Sequence, residues 1–157
     1  KKDLGQIAMS YGNVYVAQIA MGANNTQAVK AIAEAESYPG PSLVIAYSTC
    51  IAHGIDMEHS MSHQGDLVAA GYWPLYRYDP RMVDVGKHPF RVDSRPPSIP
   101  FADVAVKEAR YAVLSRVNPD HAAELMAQAQ QDIDTRWDLY QEFTGIDWIG
   151  TDDEEES

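Results

Sequence analysis

Cys50, His53, His59 and His63 lie within one short stretch, STCIAHGIDMEHSMSH, and carry the side chains in this chain best suited to bind a metal or attack a carbon. A thiolate with imidazoles nearby can ligate zinc, but these spacings match no compact zinc module, and Cys50 is the only thiol available. A cysteine nucleophile is disfavoured because its nearest histidine is almost adjacent in sequence instead of arriving from another element. A single cysteine forms no internal disulfide, so the chain is not a disulfide-built scaffold. From the residues alone, Cys50 remains a packed core thiol, a ligand of a metal or cluster, or, less readily, a nucleophile. The histidines then read as loop and helix-surface residues, with Met57 and Met61 forming a small apolar pair four positions apart.

The elements that must position these residues can be followed along the chain. Leu43-Val44-Ile45-Ala46-Tyr47 is an unbroken apolar run closed upstream by Pro39-Gly40-Pro41, the pattern of a strand buried on both faces of a parallel sheet. Cys50 follows its carboxyl end, where ligands gather in open α/β sheets. Upstream, Asp3 to Tyr11 has helical spacing, with Asp3 as N-cap and Gly12 as the stop. Val14 to Ala20 reads as a strand. Asn24-Asn25-Thr26 then opens a helix whose expected face is Val29, Ile32, Ala33 and Glu36. This strand–helix–strand unit has the length of a right-handed parallel crossover.

Downstream, Gln64 to Ala70 continues as a helix stopped by Gly71. Tyr72-Trp73-Pro74-Leu75-Tyr76-Arg77-Tyr78 reads as a strand packing its rings on the sheet, confined by Pro74 to an edge or a strand start. Residues 79–101 hold Pro80, Pro89, Pro96, Pro97 and Pro100 without hydrophobic periodicity, and read as a long covering loop. Val104 to Arg116 patterns as one helix. Asn118 and Pro119 then open a long helix with Leu125, Met126, Ala129, Ile133, Trp137, Tyr140 and Phe143 on one face, ended by Gly145.

With 157 residues, 45% of them hydrophobic, the chain can bury one domain's core. Its net charge of -11, from 23 acidic against 12 basic residues, argues against a nucleic-acid partner. Part of the excess lies in Asp152-Asp153-Glu154-Glu155-Glu156, expected to be a solvated, mobile end. No apolar run is long enough for a spanning helix, so no membrane association is expected and a soluble cytoplasmic protein is the default. The opening Lys1-Lys2, without an initiator Met, suggests a piece of something longer.

The residues from Lys1 to Ile55, with YPGPSLVIAYSTC, and GYWPLYRYDPR from Gly71 to Arg81 resemble the C-terminal part of the pyruvate:ferredoxin (flavodoxin) oxidoreductases. The likeness reaches to about Gly145. It implies a partial thiamine diphosphate-binding α/β fold with a mostly parallel sheet, followed by C-terminal helices. The implied divisions are 1–78 for the second half of the thiamine domain, 79–101 for the covering loop, 102–145 for a helical segment and 146–157 for an acidic tail. The resemblance implies thiamine diphosphate, magnesium and three 4Fe-4S clusters as cofactors of the complete enzyme. It also implies oxidative splitting of pyruvate with coenzyme A to acetyl-CoA and carbon dioxide, with electrons passing to ferredoxin or flavodoxin, by a homodimer.

Matched to the family's pattern, Cys50 is the fourth thiolate of the cluster nearest the thiamine. A thiolate is what such a cluster requires. No catalytic residue is implied within this segment. The family's glycine-aspartate-glycine motif, its later asparagine and the other three cysteines are expected upstream of Lys1, so the chain alone is expected to be inactive. Two alternatives stand beside this reading: a non-catalytic α/β binding or assembly module, and a paralogue acting on another 2-oxoacid.

Overall fold

Asp3 begins the first element as expected, accepting from the amide of Gln6 at 3.0 Å and capping helix α1 (Leu4–Met9). The computed structural model describes residues 2–148, and the acidic run at 152–156 lies outside them. Gly12 closes the following turn at φ +74°, a conformation that a β-carbon would strain. Strand β1 (Tyr15–Ile19) comes next and is buried at every residue. Asn24 caps helix α2 (Asn25–Ser37) through its side chain, and strand β2 (Ser42–Ala46) returns parallel to β1, pairing Tyr15 with Ser42 through Ile19 with Ala46.

The chain is mixed α/β, with a four-stranded sheet in the order β2-β1-β3-β4 followed by C-terminal helices. The expectation of a mostly parallel sheet holds for β1 and β2 alone. Strand β3 (Tyr76–Tyr78) and strand β4 (Phe90–Val92) add to it antiparallel. Helix α3 (Ser60–Ala69) runs between β2 and β3, and β3 comes back beside β1 in the opposite sense. Pro74 lies in the lead-in, leaving β3 free to occupy an interior position. The stretch read as a covering loop contains helix α4 (Arg81–Asp84) as well as β4. A strand of three residues shows no periodicity in sequence, and pairing with β3 creates it.

β1 separates two layers. Tyr15, Ala17 and Ile19 face α2, where they meet Ala28 and Ala31. Val16 faces the opposite layer with Tyr76, Tyr78, Phe90, Met9 and Tyr140. The last of these belongs to the long helix α7 (Pro119–Phe143), which opens as expected with Asn118 accepting from the amide of His121 and with Pro119 at its first position. A third cluster packs Leu67, Phe101, Val104 and Ile133 against Tyr47 and Tyr72. The expected helix from Val104 to Arg116 is broken into α5 (Phe101–Ala105) and α6 (Ala109–Val117), with extended backbone at Glu108.

Two burial expectations are corrected. The buried stripe of α2 is Gln27, Ala28 and Ala31, whereas Val29 and Ile32 are 69% and 49% exposed. Small side chains let the helix approach the sheet closely, so the bulkier residues that periodicity selects point outward. β2 is an edge strand whose Leu43, Val44 and Ile45 are only half-buried, because no strand among the described residues covers its outer side. An open parallel edge beside outward-facing Val29 and Ile32 is an association surface. The isolated 17.4 kDa chain is therefore expected to elute in size-exclusion chromatography as oligomers or aggregates. A monodisperse monomer that unfolds cooperatively would show that these faces are self-sufficient.

Candidate functional site

β2 ends at Ala46, and Tyr47 extends its pairing with β1 by one bond, its amide donating to the Ile19 carbonyl at 3.0 Å. The Tyr47 ring meets Trp73 edge-on at 5.2 Å, and the Trp73 indole donates to the same Ile19 carbonyl. Burial, followed by the negative charge of Glu108, pushes the Tyr47 phenol up to about 12. It stays neutral at physiological pH, so no phenolate charge develops near the thiol that follows.

Cys50 is exposed and free, with extended backbone, and begins a single turn over Ile51–His53. The His53 amide donates to the Cys50 carbonyl at 3.0 Å, which ties the thiol's residue to the turn. Gly54 closes the turn at φ +70°. A β-carbon on Gly54 would lie 2.6 Å from the β-carbon of Ala109, so the loop rests directly on the first turn of α6.

The histidines separate into two environments. His59 stays at the surface, its Nδ1 3.0 Å from Asp56, whose carboxyl is held below its ordinary value chiefly by that hydrogen bond. His53 and His63 converge instead on Glu108, which is 4% exposed. His53 Nδ1 is 2.8 Å from Oε2 and His63 Nε2 is 2.9 Å from Oε1. On the other side of His53, Arg110 approaches Nε2 at 3.0 Å. A guanidinium can only donate, so His53 Nε2 accepts and the ring proton sits on Nδ1, directed at Glu108. The chain of donors thus runs from Arg110 through His53 to the carboxylate, which accepts a second bond from His63.

The expectation that these histidines are loop and helix-surface residues fails for His63, which is 3% exposed. It can be buried because Glu108 satisfies its ring. The zinc-like constellation of Cys50 with three histidines does not form: no group of three or more His, Cys, Asp or Glu among the described residues is placed to hold a metal ion. Glu108 and Arg110 are the residues that sequence reasoning misses. They lie 55 and 57 positions from His53, and the charged Lys107-Glu108 pair interrupting an apolar run is the only local sign of them.

As a donor set, the site offers one soft, exposed sulfur at the carboxyl end of a parallel strand, with the neighbouring imidazoles already engaged. That suits a thiolate contributing one ligand to a cluster completed from elsewhere, and it does not suit a self-contained metal centre. The architecture defines an α/β segment that delivers a single thiol from a strand end.

No protein-family model matches the chain. It is 50% identical over 141 residues to a pyruvate-flavodoxin oxidoreductase of Trichormus variabilis, covering 90% of this chain and 12% of that protein. It is likewise 50% identical over 140 residues to a pyruvate:ferredoxin oxidoreductase of Moorella thermoacetica, covering 89% and 12%. A pyruvate-flavodoxin oxidoreductase of Klebsiella pneumoniae is 49% identical over 147 residues, covering 92% and 13%. The chain spans about an eighth of the length of these relatives, and over that segment it belongs to the pyruvate-flavodoxin and pyruvate:ferredoxin oxidoreductases.

No helix among the described residues is long and apolar enough to cross a membrane.

Proposed function

We propose that this chain is a segment of a cytoplasmic oxidoreductase that oxidatively decarboxylates pyruvate with coenzyme A to acetyl-CoA and carbon dioxide, reducing flavodoxin or ferredoxin. The observation that carries the reading is identity of about half over nine-tenths of the chain to proteins bearing those names. In such an enzyme, thiamine diphosphate with magnesium supplies the carbon chemistry and iron-sulfur clusters conduct electrons singly.

This chain's part is to hold and aim one ligand. Cys50 contributes a thiolate to a 4Fe-4S cluster, presented beyond the sheet by β2 and the Ile51–His53 turn. A strand terminus anchored through Tyr47 and Trp73 gives that thiolate a defined direction, which a loop alone would not. No residue of this segment is assigned to thiamine diphosphate or magnesium. Residues 1–78 supply the second half of the thiamine domain, and the outer edge of β2 takes the strands that complete its sheet. Residues 79–101 add β4 to that sheet and 102–145 pack as helices. The complete protein acts as a homodimer with flavodoxin or ferredoxin as electron acceptor.

The complete protein, purified without oxygen, is expected to reduce flavodoxin or ferredoxin when pyruvate and coenzyme A are added, whereas the isolated 157-residue chain reduces neither. Reduction with another 2-oxoacid in place of pyruvate would reassign the substrate. No reduction with any 2-oxoacid would overturn the reading in favour of a non-catalytic module.

A further inference from the structure

Glu108 is buried, yet it plays no part in the aromatic and aliphatic core. Withdrawing a carboxylate from water is costly unless its lone pairs are met by donors. Both oxygens are met here, one by His63 from α3 and one by His53 from the Cys50 turn. The backbone is adapted to this arrangement. Glu108 stands at the break between α5 and α6 with φ -101° and ψ 122°, and although it precedes the first residue of α6 its side chain makes no capping bond.

The same break holds the loop and α3 by further contacts. Lys107 pairs with Asp66 of α3 at 2.7 Å, and Gly54 fits against Ala109. α3 is itself tied to the turn after β1, because Gln64 accepts from the Gly22 amide at 2.9 Å. Glu108 therefore links a buried partner, His63, to the turn that carries Cys50. Of its two histidines, His53 belongs to the loop and is the more exposed, and its ring is oriented by Glu108 at Nδ1 together with Arg110 at Nε2. The ring in turn belongs to the residue whose amide closes on the Cys50 carbonyl.

We propose that Glu108 is a positioning residue for Cys50, holding the 50–54 turn through His53 so that the thiol leaves β2 in one fixed direction. The proposal rests on Cys50 being a cluster ligand, and the experiment separates the two ideas. Outer hydrogen-bond partners of metal ligands change metal retention by about 10–100-fold when removed.

In the complete enzyme, Glu108→Ala is expected to speed amide exchange at His53 and Gly54 by roughly tenfold or more, as two bonds to a charged group are lost. Iron release from one cluster to a chelator is expected to accelerate by about tenfold or more, and the paramagnetic resonance signal of that cluster should broaden. Glu108→Gln is expected to recover all three readouts to within about threefold, because its carbonyl still accepts from His53 and its amide can donate to the other tautomer of His63.

If Glu108→Ala leaves exchange in the turn, iron release and the signal unchanged, the positioning role is wrong, even where α3 loosens. Should Glu108→Ala fail to fold, His53→Ala decides, since it cuts the loop side and leaves the bond to His63. Accelerated exchange at Gly54 and faster iron release support the proposal, and wild-type values for both overturn it. Full iron retention in Cys50→Ala would mark failure of the ligand reading instead, while turn exchange in Glu108→Ala still reports whether the carboxylate holds the loop.

Discussion

Cys50→Ala in the complete oxidoreductase is expected to cost one cluster's complement of iron and to lower pyruvate-dependent reduction of flavodoxin or ferredoxin by at least about tenfold. The size of the effect follows from chemistry: alanine supplies no donor, and the histidines nearest the thiol cannot replace it. His53 is engaged by Glu108 and Arg110, and His59 is held at the surface by Asp56. Cys50→Ser is expected to fall between, since an alkoxide is a harder and poorer ligand for iron than a thiolate. Folding should be indifferent to both changes, because the thiol is exposed and fills no cavity. The measurements are iron per chain, the resonance signal of the reduced clusters and the rate of electron delivery. Full iron with an unaltered signal in the alanine variant would return Cys50 to the status of an unligated thiol.

The largest effect on stability is expected at Arg77. Its guanidinium, 8% exposed, holds Asp93 through two parallel bonds of 2.6 and 2.8 Å and Glu34 of α2 through a third of 2.6 Å. Asp93 beside it pushes the guanidinium further above its already high ordinary value, so it remains a cation at any working pH. Gln27 also donates to Asp93, and Tyr15 donates to Glu34, so one network ties α2 to β1, β3 and the chain after β4. Arg77→Met removes the cation between buried Asp93 and part-exposed Glu34, leaving Asp93 with Arg91 and Gln27 and Glu34 with Lys30 and Tyr15, and is expected to cost about 3 kcal/mol, the low end for breaking a buried pair. Native-state hydrogen exchange checks this as a fall of that size in the opening free energy of β1 and β3 amides. Adding Asp93→Leu should restore much of the loss, because removing both charges leaves less to desolvate. A single variant that costs under about 1 kcal/mol would mean that water reaches the network and screens it.

The amino-acid sequence by itself determined the local architecture and the place of the thiol. Asp3, Asn24 and Asn118 cap helices where their side-chain types and positions indicate, since a cap depends on a hydrogen bond to an amide only two or three residues away. The β1–α2–β2 crossover and the emergence of Cys50 beyond a strand were legible for the same reason: short-range periodicity and turn chemistry require no distant partner.

What only the tertiary structure decided lies in contacts between distant residues. The antiparallel return of β3 and β4 is defined by their pairing with β1 and with each other, and a three-residue strand announces nothing until another strand lies beside it. The buried face of α2 departs from the one periodicity selects because close packing on the sheet favours Ala28 and Ala31 over the larger Val29 and Ile32. The function of the histidines was illegible because a buried imidazole is defined by its partner. That partner, Glu108, is 45 positions from His63 and becomes available only where the helix expected from Val104 to Arg116 breaks. A buried polar group must be satisfied by whatever the fold brings within about 3 Å, and local pattern carries no information about that distance.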